Sequence, residues 1–273
     1  MLDTPYSILI IDEIPGRIVG NDDEPPGRVL HLQSNGQIIW ENSSLKMPYD
    51  AAVTKDGDYL ISLIREKAVC LISRSNEIIS RIHIGGYPCS LQLLSNGNIL
   101  VAGWDYHVPG FVREFNRSGQ QVWQKENLSW PWKAERLPNN NTLIADAKNN
   151  RVFEVDHAGI EVWAAENIGP LKPELFDHLG PVFCQRLEND NTLISIRGLS
   201  QVIEINLEGK VVWQLADGLV SNQYSAVRLE DGNTLIADCG HHRVVVFDRD
   251  CNIVWEMGGF GYPAKAYITS ITK

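Results

Sequence analysis

The segment that decides the fold is AVRLEDGNTLIADCGHHRVVVFDRDCNIVW, residues 226–255. It contains four short runs rich in valine, isoleucine, leucine and tryptophan, separated by asparagine, aspartate and glycine turn residues. This pattern is typical of a four-stranded antiparallel meander. The same pattern occurs at 134–163 and at 184–213, so the meander is a repeated unit of the chain.

Two weaker copies precede these three, at 90–123 and at 51–80, and Ser80 ends the latter copy where the others have tryptophan. Two incomplete pieces complement each other, because 7–41 supplies only the last three strands of a unit and 263–272 supplies only a first strand. Pairing of these pieces completes a sixth unit and closes a ring without an open sheet edge. The sequence therefore predicts an all-β, six-bladed β-propeller with four-stranded antiparallel blades, closed by pairing its N-terminal strands with its C-terminal strand.

The repeat also sets the predicted blade boundaries. Blade 1 combines 7–41 with 263–272, and blades 2 to 6 span 47–83, 87–124, 130–164, 181–214 and 223–257 of a single domain, 1–273. A tryptophan recurs in the outer strand of five blades, where a large flat side chain can cover the gap to the next blade. These tryptophans are Trp40, Trp123, Trp163, Trp213 and Trp255.

The bulk properties exclude several classes of partner. A formal net charge of -10 disfavours nucleic acid and anionic membranes. The amino-terminal segment has no positive n-region, and its apolar run at 8–11 is too short for a signal peptide, which predicts a cytoplasmic protein. The 5 cysteines are an odd set without CxxC spacing, so we expect reduced, mostly buried thiols and neither a disulfide framework nor a zinc knuckle. The adjacent His241 and His242 would point to opposite faces of an extended segment, so no metal site is expected, and no cofactor is expected either. The oligomeric state is left open.

Function is expected on the face where the innermost strands begin, because the loops between second and third strands lie on the same face. Aligning the repeats places one residue of each inner strand near the ring axis: Asp50, Ser90, Lys133, Phe183, Ser225 and Lys265. The residues just before them are rich in aromatic side chains, which would line one mouth with flat walls and polar tips. We therefore expect a small-molecule ligand at this axial mouth.

The candidate catalytic residues are titratable groups placed at this mouth by the repeat. They are His107, Asp50, Lys133 and Tyr224. The candidate ligand-binding residues are Arg65, Trp104, Asp105, Trp130, Trp132, Phe183, Arg197, His241, Tyr262 and Lys265. Two alternatives stay open: the charges near the axis can pair with one another across the channel, and a loop histidine can be simply solvated.

Two other features have structural and functional interpretations. Asp12, Asp146 and Asp238 occupy equivalent positions at the end of the second strand, and such recurrence favours the capping of backbone amides. The long loops at 13–28 and 167–181 depart from a minimal propeller, and we expect them to cover the axial opening as lids.

Across most of the chain, the repeat resembles the arylsulfotransferase-like and quinoprotein-like propellers. The local match is to the arylsulfotransferase-like group and is carried by NDNTLISIRGLSQVIEINLEGKVVWQLADG, residues 189–218, and QYSAVRL, residues 223–229. The first of these families uses histidines before its inner strands, whereas this chain has Gly180 and Tyr224 at the matching places, with His178 two residues away from the first. Arg197 and Gln223 match the family's arginine and glutamine. The quinoprotein family uses eight blades, so this resemblance implies no quinone cofactor.

These observations predict a propeller that binds a small polar or aromatic molecule at its axis. Catalysis there would use acid–base chemistry, as in a cyclisation, elimination or hydrolysis. One alternative is a non-catalytic scaffold for protein interactions, which would expose an apolar patch on its rim or face. A second alternative is a sulfotransferase-related activity.

Overall fold

The computed structural model describes residues 6–13, 26–169 and 180–269. Within these ranges the strands form six antiparallel sheets of four strands each. The fold is the six-bladed β-propeller that the repeat predicts. Most of both loops interpreted as lids, and His178 with them, lie outside the described residues.

The strands follow one another blade by blade. Blade 1 contains β1 (Ser7–Glu13), β2 (Gly27–Gln33) and β3 (Ile38–Leu45). Blade 2 contains β4 (Pro48–Val53), β5 (Tyr59–Leu63), β6 (Ala68–Ile72) and β7 (Ile78–His83). Blade 3 contains β8 (Tyr87–Leu93), β9 (Ile99–Trp104), β10 (Gly110–Phe115) and β11 (Gln121–Leu128).

The second half of the ring repeats this order. Blade 4 contains β12 (Pro131–Arg136), β13 (Thr142–Asp146), β14 (Arg151–Val155) and β15 (Glu161–Ala165). Blade 5 contains β16 (Pro181–Arg186), β17 (Thr192–Ile196), β18 (Gln201–Ile205) and β19 (Val211–Gln214). Blade 6 contains β20 (Ser225–Arg228), β21 (Thr234–Asp238), β22 (Arg243–Phe247) and β23 (Ile253–Gly258), and β24 (Tyr262–Thr269) follows it.

Strand β24 closes the ring by joining blade 1 rather than blade 6. It pairs antiparallel with β1 from Ser7, opposite Thr269, to Glu13, opposite Tyr262. The order of this sheet is therefore β24-β1-β2-β3, and its innermost strand comes from the opposite end of the chain. The closure inferred from the two incomplete repeats is present.

The core lies between neighbouring blades, because alternate side chains of each strand point to opposite faces of its sheet. In β1, Ile8 and Ile10 pack toward blade 6, whereas Leu9 and Ile11 pack toward blade 2. All four are fully buried. Full burial of such a side chain contributes about 1.5–3 kcal/mol, so each blade is stabilised mainly by its two neighbours.

The recurring tryptophan connects blades, as the repeat predicts. The indole Nε1 of Trp163 donates to the carbonyl of Leu207 in blade 5 at 2.8 Å. The guanidinium of Arg186 stacks 4.5 Å from the Trp163 ring and donates to Glu154 at 2.8 Å. The same tryptophan, arginine and glutamate positions are filled by Trp123, Arg136 and Glu114, and by Trp213, Arg228 and Glu204.

The recurring aspartates cap backbone amides, which confirms their structural interpretation. Asp146 accepts from the backbone N–H of Ser129 at 2.8 Å, and Asp238 accepts from that of Ser221 at 2.8 Å. Asp12 accepts from the N–H of Tyr262 at 2.7 Å and so fixes the start of β24.

Two further observations concern the cysteines and the length of helices. The cysteines are free thiols, as expected, and all but Cys251 are buried. Within 6–13, 26–169 and 180–269, no helix is long and apolar enough to cross a membrane.

Candidate functional site

The candidate site lies on the face at which first strands begin and second strands end, here named the upper face. The register shows this geometry directly, because Pro131 at the start of β12 pairs with Asp146 at the end of β13. A proline in this position needs no ladder hydrogen bond. The side chains at the starts of the first strands and those in the loops after the second strands therefore lie on the same face.

Three rings form the floor of the axial mouth. Tyr49, Trp132 and Tyr224 come from blades 2, 4 and 6, and their ring centroids lie 5.5–6.1 Å apart. Each side chain is buried. We name these three residues the aromatic floor. Tyr262 extends it at 5.9 Å from Tyr224.

Arg197 stands beside the aromatic floor, in the turn that follows β17. Its guanidinium carbon lies 4.5 Å from the Tyr224 ring, and its Nη2 donates to the hydroxyl of Tyr262 at 3.4 Å. Its buried Nε atom has no hydrogen-bond partner in the described part of the chain. Burial alone would lower the pKa of Arg197, but the surrounding phenols raise it, so this side chain is a fixed cation at the mouth.

Tyr49, which interacts electrostatically with Arg197, has an unsatisfied hydroxyl. The hydroxyl is buried and has no hydrogen-bond partner among the described residues. Burial, and then the neighbouring Tyr224 and Glu13, raise the pKa of Tyr49 well above its usual value, although Arg197 acts in the opposite direction. Tyr49 therefore remains protonated at neutral pH and can donate a hydrogen bond.

Glu13 is a carboxylate of the mouth that the sequence interpretation did not include. It ends β1, is buried, and helps to raise the pKa values of Tyr49, Tyr224 and Cys239. In the repeat, Glu13 stands at the position of Arg197, one residue after the position that Asp12, Asp146 and Asp238 occupy in their blades. Aligning that position across all six blades could have found it.

The charged residues predicted near the axis lie one position deeper along the strands. Lys265 Nζ donates to Asp50 at 3.1 Å and also to the carbonyl of Cys89. Asp50 further accepts from the backbone N–H groups of Ala51 and Leu91, each at 2.9 Å. Burial lowers the pKa of Lys265, and Asp50 partly offsets this effect. This ion pair joins the inner strands of the neighbouring blades 1 and 2, so these two axial charges pair with each other, which is one of the alternatives that the sequence left open.

Lys133 and Phe183 occupy the same deep layer. The Lys133 ammonium lies 5.1 Å from the Phe183 ring and 5.7 Å from the Tyr267 ring. Both Lys133 and Phe183 are buried. The catalytic role of Lys133 and the ligand-binding role of Phe183 stay predictions.

A second hollow on the upper face gathers three other predicted ligand-binding residues. Trp104 and Trp130 stack at 4.4 Å with an interplanar angle of 8°, and they line a cavity of about 310 Å³ together with Asp105 and Lys148. Asp105 is paired with Lys67 at 2.5 Å. Trp130 adopts a φ of 66°, which is rare and strained for so bulky a residue.

The remaining candidates are Arg65, His107 and His241. The Arg65 Nε donates to the sulfur of Met47 at 3.1 Å. His107 is exposed on the loop between β9 and β10. His241 Nδ1 lies 2.8 Å from the capping carboxylate of Asp238. The structure therefore brings Tyr224, Trp132, Arg197 and Tyr262 together at the mouth, and within the described ranges His107, Arg65 and His241 make no hydrogen bond or ring contact with that group.

The comparisons with known proteins find similar structures only. No family model and no curated protein sequence matches the chain. A protein of unknown function from Bacteroides caccae has a TM-score of 0.73 and 18% identity, covering 97% of this chain and 99% of its own. Virginiamycin B lyase from Staphylococcus aureus has a TM-score of 0.59 and 13% identity, covering 78% of this chain and 70% of its own.

Hydrazine synthase from Kuenenia stuttgartiensis has a TM-score of 0.64 and 16% identity, covering 86% of this chain and 81% of its own. Identities this low establish the propeller fold and no shared activity. The resemblance to the arylsulfotransferase-like group stays a prediction.

Proposed function

We propose that this propeller binds a small, partly aromatic molecule carrying an anionic group at its axial mouth. The observation that carries the proposal is the half-buried Arg197, whose buried Nε has no hydrogen-bond partner among the described residues, together with the buried Tyr49 hydroxyl, which has none either. Leaving a buried polar group unsatisfied costs about 1–3 kcal/mol. A ligand that accepts both hydrogen bonds would recover that free energy.

The side chains at the mouth define the ligand class. A guanidinium prefers carboxylate, sulfate or phosphate oxygens, which it binds through parallel hydrogen bonds. The aromatic floor offers ring faces and edges for stacking against a planar group. Together they favour an aryl or similarly flat anion over a sugar or an extended peptide.

The proposed chemistry is a proton transfer on this bound molecule. Elimination, cyclisation and hydrolysis all need one group to accept a proton and another to donate one. In our proposal Glu13 accepts the proton, the phenol of Tyr49 donates one, and Arg197 stabilises the anion that develops. That a fold neighbour is named a lyase is compatible with this proposal, which rests on the side chains of this chain.

A thermal-shift screen against aryl carboxylates and aryl sulfates tests the proposal, since a ligand that binds only the native state raises the unfolding midpoint. We expect a hit whose shift is lost in Arg197→Met and reduced in Tyr49→Phe. Lys210→Met, which removes an exposed cation from a distant turn, is the matched control and should retain the shift. A hit that both mouth variants bind as well as the wild type would refute the proposal. The aryl sulfates also test the sulfotransferase-related alternative.

A second candidate function, a scaffold for protein contacts, is favoured by a belt of exposed apolar residues on the outer strands. The belt includes Ile38, Ile39, Ile78, Ile79, Val122, Ile160, Val162, Val211, Val212 and Ile253, which are 45–63% exposed. A second copy of the chain is the simplest partner for such a surface. Sedimentation velocity over a range of concentrations measures self-association and so tests this candidate. We expect the double substitution Val211→Lys and Val212→Lys to abolish any self-association.

We also propose where the protein is located. We retain the cytoplasmic location predicted from the amino-terminal sequence. Its four buried thiols are compatible with a reducing compartment.

A further inference from the structure

One of the six blade interfaces lacks the tryptophan that fills the others. At four interfaces the indole Nε1 donates to the carbonyl at one fixed turn position of the next blade, at 2.8–3.1 Å. These bonds run from Trp123, Trp163, Trp213 and Trp255 to His157, Leu207, Arg249 and Ser34. At the interface of blades 1 and 2, Trp40 instead stacks on Tyr59 with ring centroids 3.7 Å apart.

At the interface of blades 2 and 3, the tryptophan, the glutamate paired opposite it and the arginine that stacks on it are all replaced. Ser80 replaces the tryptophan, and Leu71, which is opposite Ser80 in the register, replaces the glutamate. Leu93 ends β8 and replaces the arginine that stacks on the tryptophan at three other interfaces. One aromatic side chain and one ion pair are thus replaced by a serine and two leucines.

The result is an open space between the two blades, here named the blade 2–3 slot. It has a volume of about 460 Å³, and its apolar walls are Leu60, Val69, Leu71, Ile82, Leu93 and Ile99. This volume falls in the range of about 300–1,000 Å³ that is usual for small-molecule sites. Ser80 and Arg117 also line it.

An acceptor for an indole is present at the slot. In the turn between the third and fourth strands of blade 3, the backbone N–H of Asn116 donates to the carbonyl of Gln120. In the equivalent turn of blade 4, the backbone N–H of Asp156 donates to the carbonyl of Ile160. This alignment puts the carbonyl of Arg117 at the position of the His157 carbonyl, which accepts from Trp123. The Arg117 carbonyl receives no hydrogen bond from the described part of the chain.

We propose that the blade 2–3 slot binds a free, planar N–H heteroaromatic molecule of the indole class. Its ring lies between Leu71 and Leu93, and its N–H donates to the carbonyl of Arg117. The slot is larger than a single indole ring requires, which favours a whole small molecule over a partner's side chain. The slot is formed by strand ends and turns of the face opposite the axial mouth, so this site is independent of the function proposed for the mouth.

Calorimetric titration of the full chain with indole tests this site. We expect wild-type protein and Ser80→Ala to bind indole, because both leave the slot open. Ser80→Trp restores the missing side chain and should abolish binding. N-methylindole has the same shape without the donor and should bind roughly three- to tenfold more weakly, as expected for one lost hydrogen bond.

A measurement on unmodified protein keeps the test valid if Ser80→Trp folds poorly. Indole should shift the methyl resonances of Leu71, Ile82 and Leu93 and leave those of Leu143, in the interface of blades 4 and 5, unchanged. Absence of binding by the wild type, or equal binding by Ser80→Trp and wild type, would overturn the proposal. Neither result would bear on ligands of the axial mouth.

Discussion

Tyr49 and Tyr59 are both buried tyrosines of blade 2, and they differ in how their hydroxyl groups are satisfied. The hydroxyl of Tyr59 lies 2.9 Å from His31 Nδ1, whereas the hydroxyl of Tyr49 has no partner among the described residues. We expect Tyr59→Phe to destabilise the protein by about 1 kcal/mol, and Tyr49→Phe to leave it unchanged or stabilise it by about 1 kcal/mol. Urea unfolding of the two variants without ligand measures this difference.

The two substitutions remove the same atom, so each serves as the control for the other. A loss of stability in Tyr49→Phe equal to that in Tyr59→Phe would mean that the mouth hydroxyl is already satisfied. The space beside Arg197 would then have to be assigned a structural role.

At this scale the sequence predicts recurring residues better than unique ones. Asp12, Asp146 and Asp238 recur, and all three cap backbone amides as expected. Glu13 and Arg197 occupy the same repeat position but are different residue types, so no recurring residue type pointed to Glu13. A binding site at the axis of a ring is asymmetric, which is why the repeat gives the place of each residue and not its role.

At the scale of elements, the closing strand is held by a buried histidine of β2. His31 Nε2 lies 2.9 Å from the Ser7 hydroxyl in β1 and 2.8 Å from the Thr269 hydroxyl in β24. Burial lowers the pKa of His31 below its usual 6.5. The folded protein thus disfavours protonation of this ring more strongly than the unfolded chain does.

Because the folded-state pKa of His31 is the lower one, its contribution to stability is present above pH 6.5 and is lost as the pH falls through the folded value. We expect the unfolding free energy to decrease on acidification below pH 6.5, and His31→Gln to remove part of that decrease. Hydrogen exchange of the β24 amides against pH measures the effect. His83→Gln, at an exposed site on β7, is the control and should keep the wild-type profile.

Most strands could be predicted because their residue pattern repeats along the chain. The same pattern also predicted that blade 1 is divided between the two ends of the chain. The blade 2–3 slot could not be predicted as a cavity from Ser80 alone. It requires Leu71 and Leu93 at the matching positions, and these belong to different blades. Packing between blades depends on residues distant in sequence, which a pattern within one repeat does not reveal.

At the scale of the whole molecule, the six interfaces are unequal. Three contain the tryptophan, arginine and glutamate group, and the interface of blades 2 and 3 contains the slot. A ring with one weak interface should open there first, unless the strands that close it prevent the opening. Circular permutation separates these two effects, because Ser7 and Thr269 are paired neighbours and a short linker can join these two positions.

We propose two permutants for this comparison. One opens the chain between Gly85 and Gly86, at the junction of blades 2 and 3, so that every blade is continuous and no strand is shared across the new ends. The other opens it between Asn139 and Asn140, in the turn between β12 and β13. In that permutant the first strand of blade 4 lies at one end of the chain and its other three strands at the other, as in native blade 1.

We expect the Asn139/Asn140 permutant to approach wild-type stability in urea unfolding, and the Gly85/Gly86 permutant to unfold at lower urea concentration. The reason is that the first retains a hydrogen-bonded strand pair across its ends, while the second closes only through contacts made by side chains of blades 2 and 3, such as the Asp50–Leu91 hydrogen bond and the Lys67–Asp105 ion pair. Ser80→Trp should recover part of the loss in the second permutant and should have a smaller effect in the first. Equal stability of the two permutants would show that side-chain packing between blades is sufficient to hold the ring, and that sharing a strand contributes to its folding rather than to its final stability.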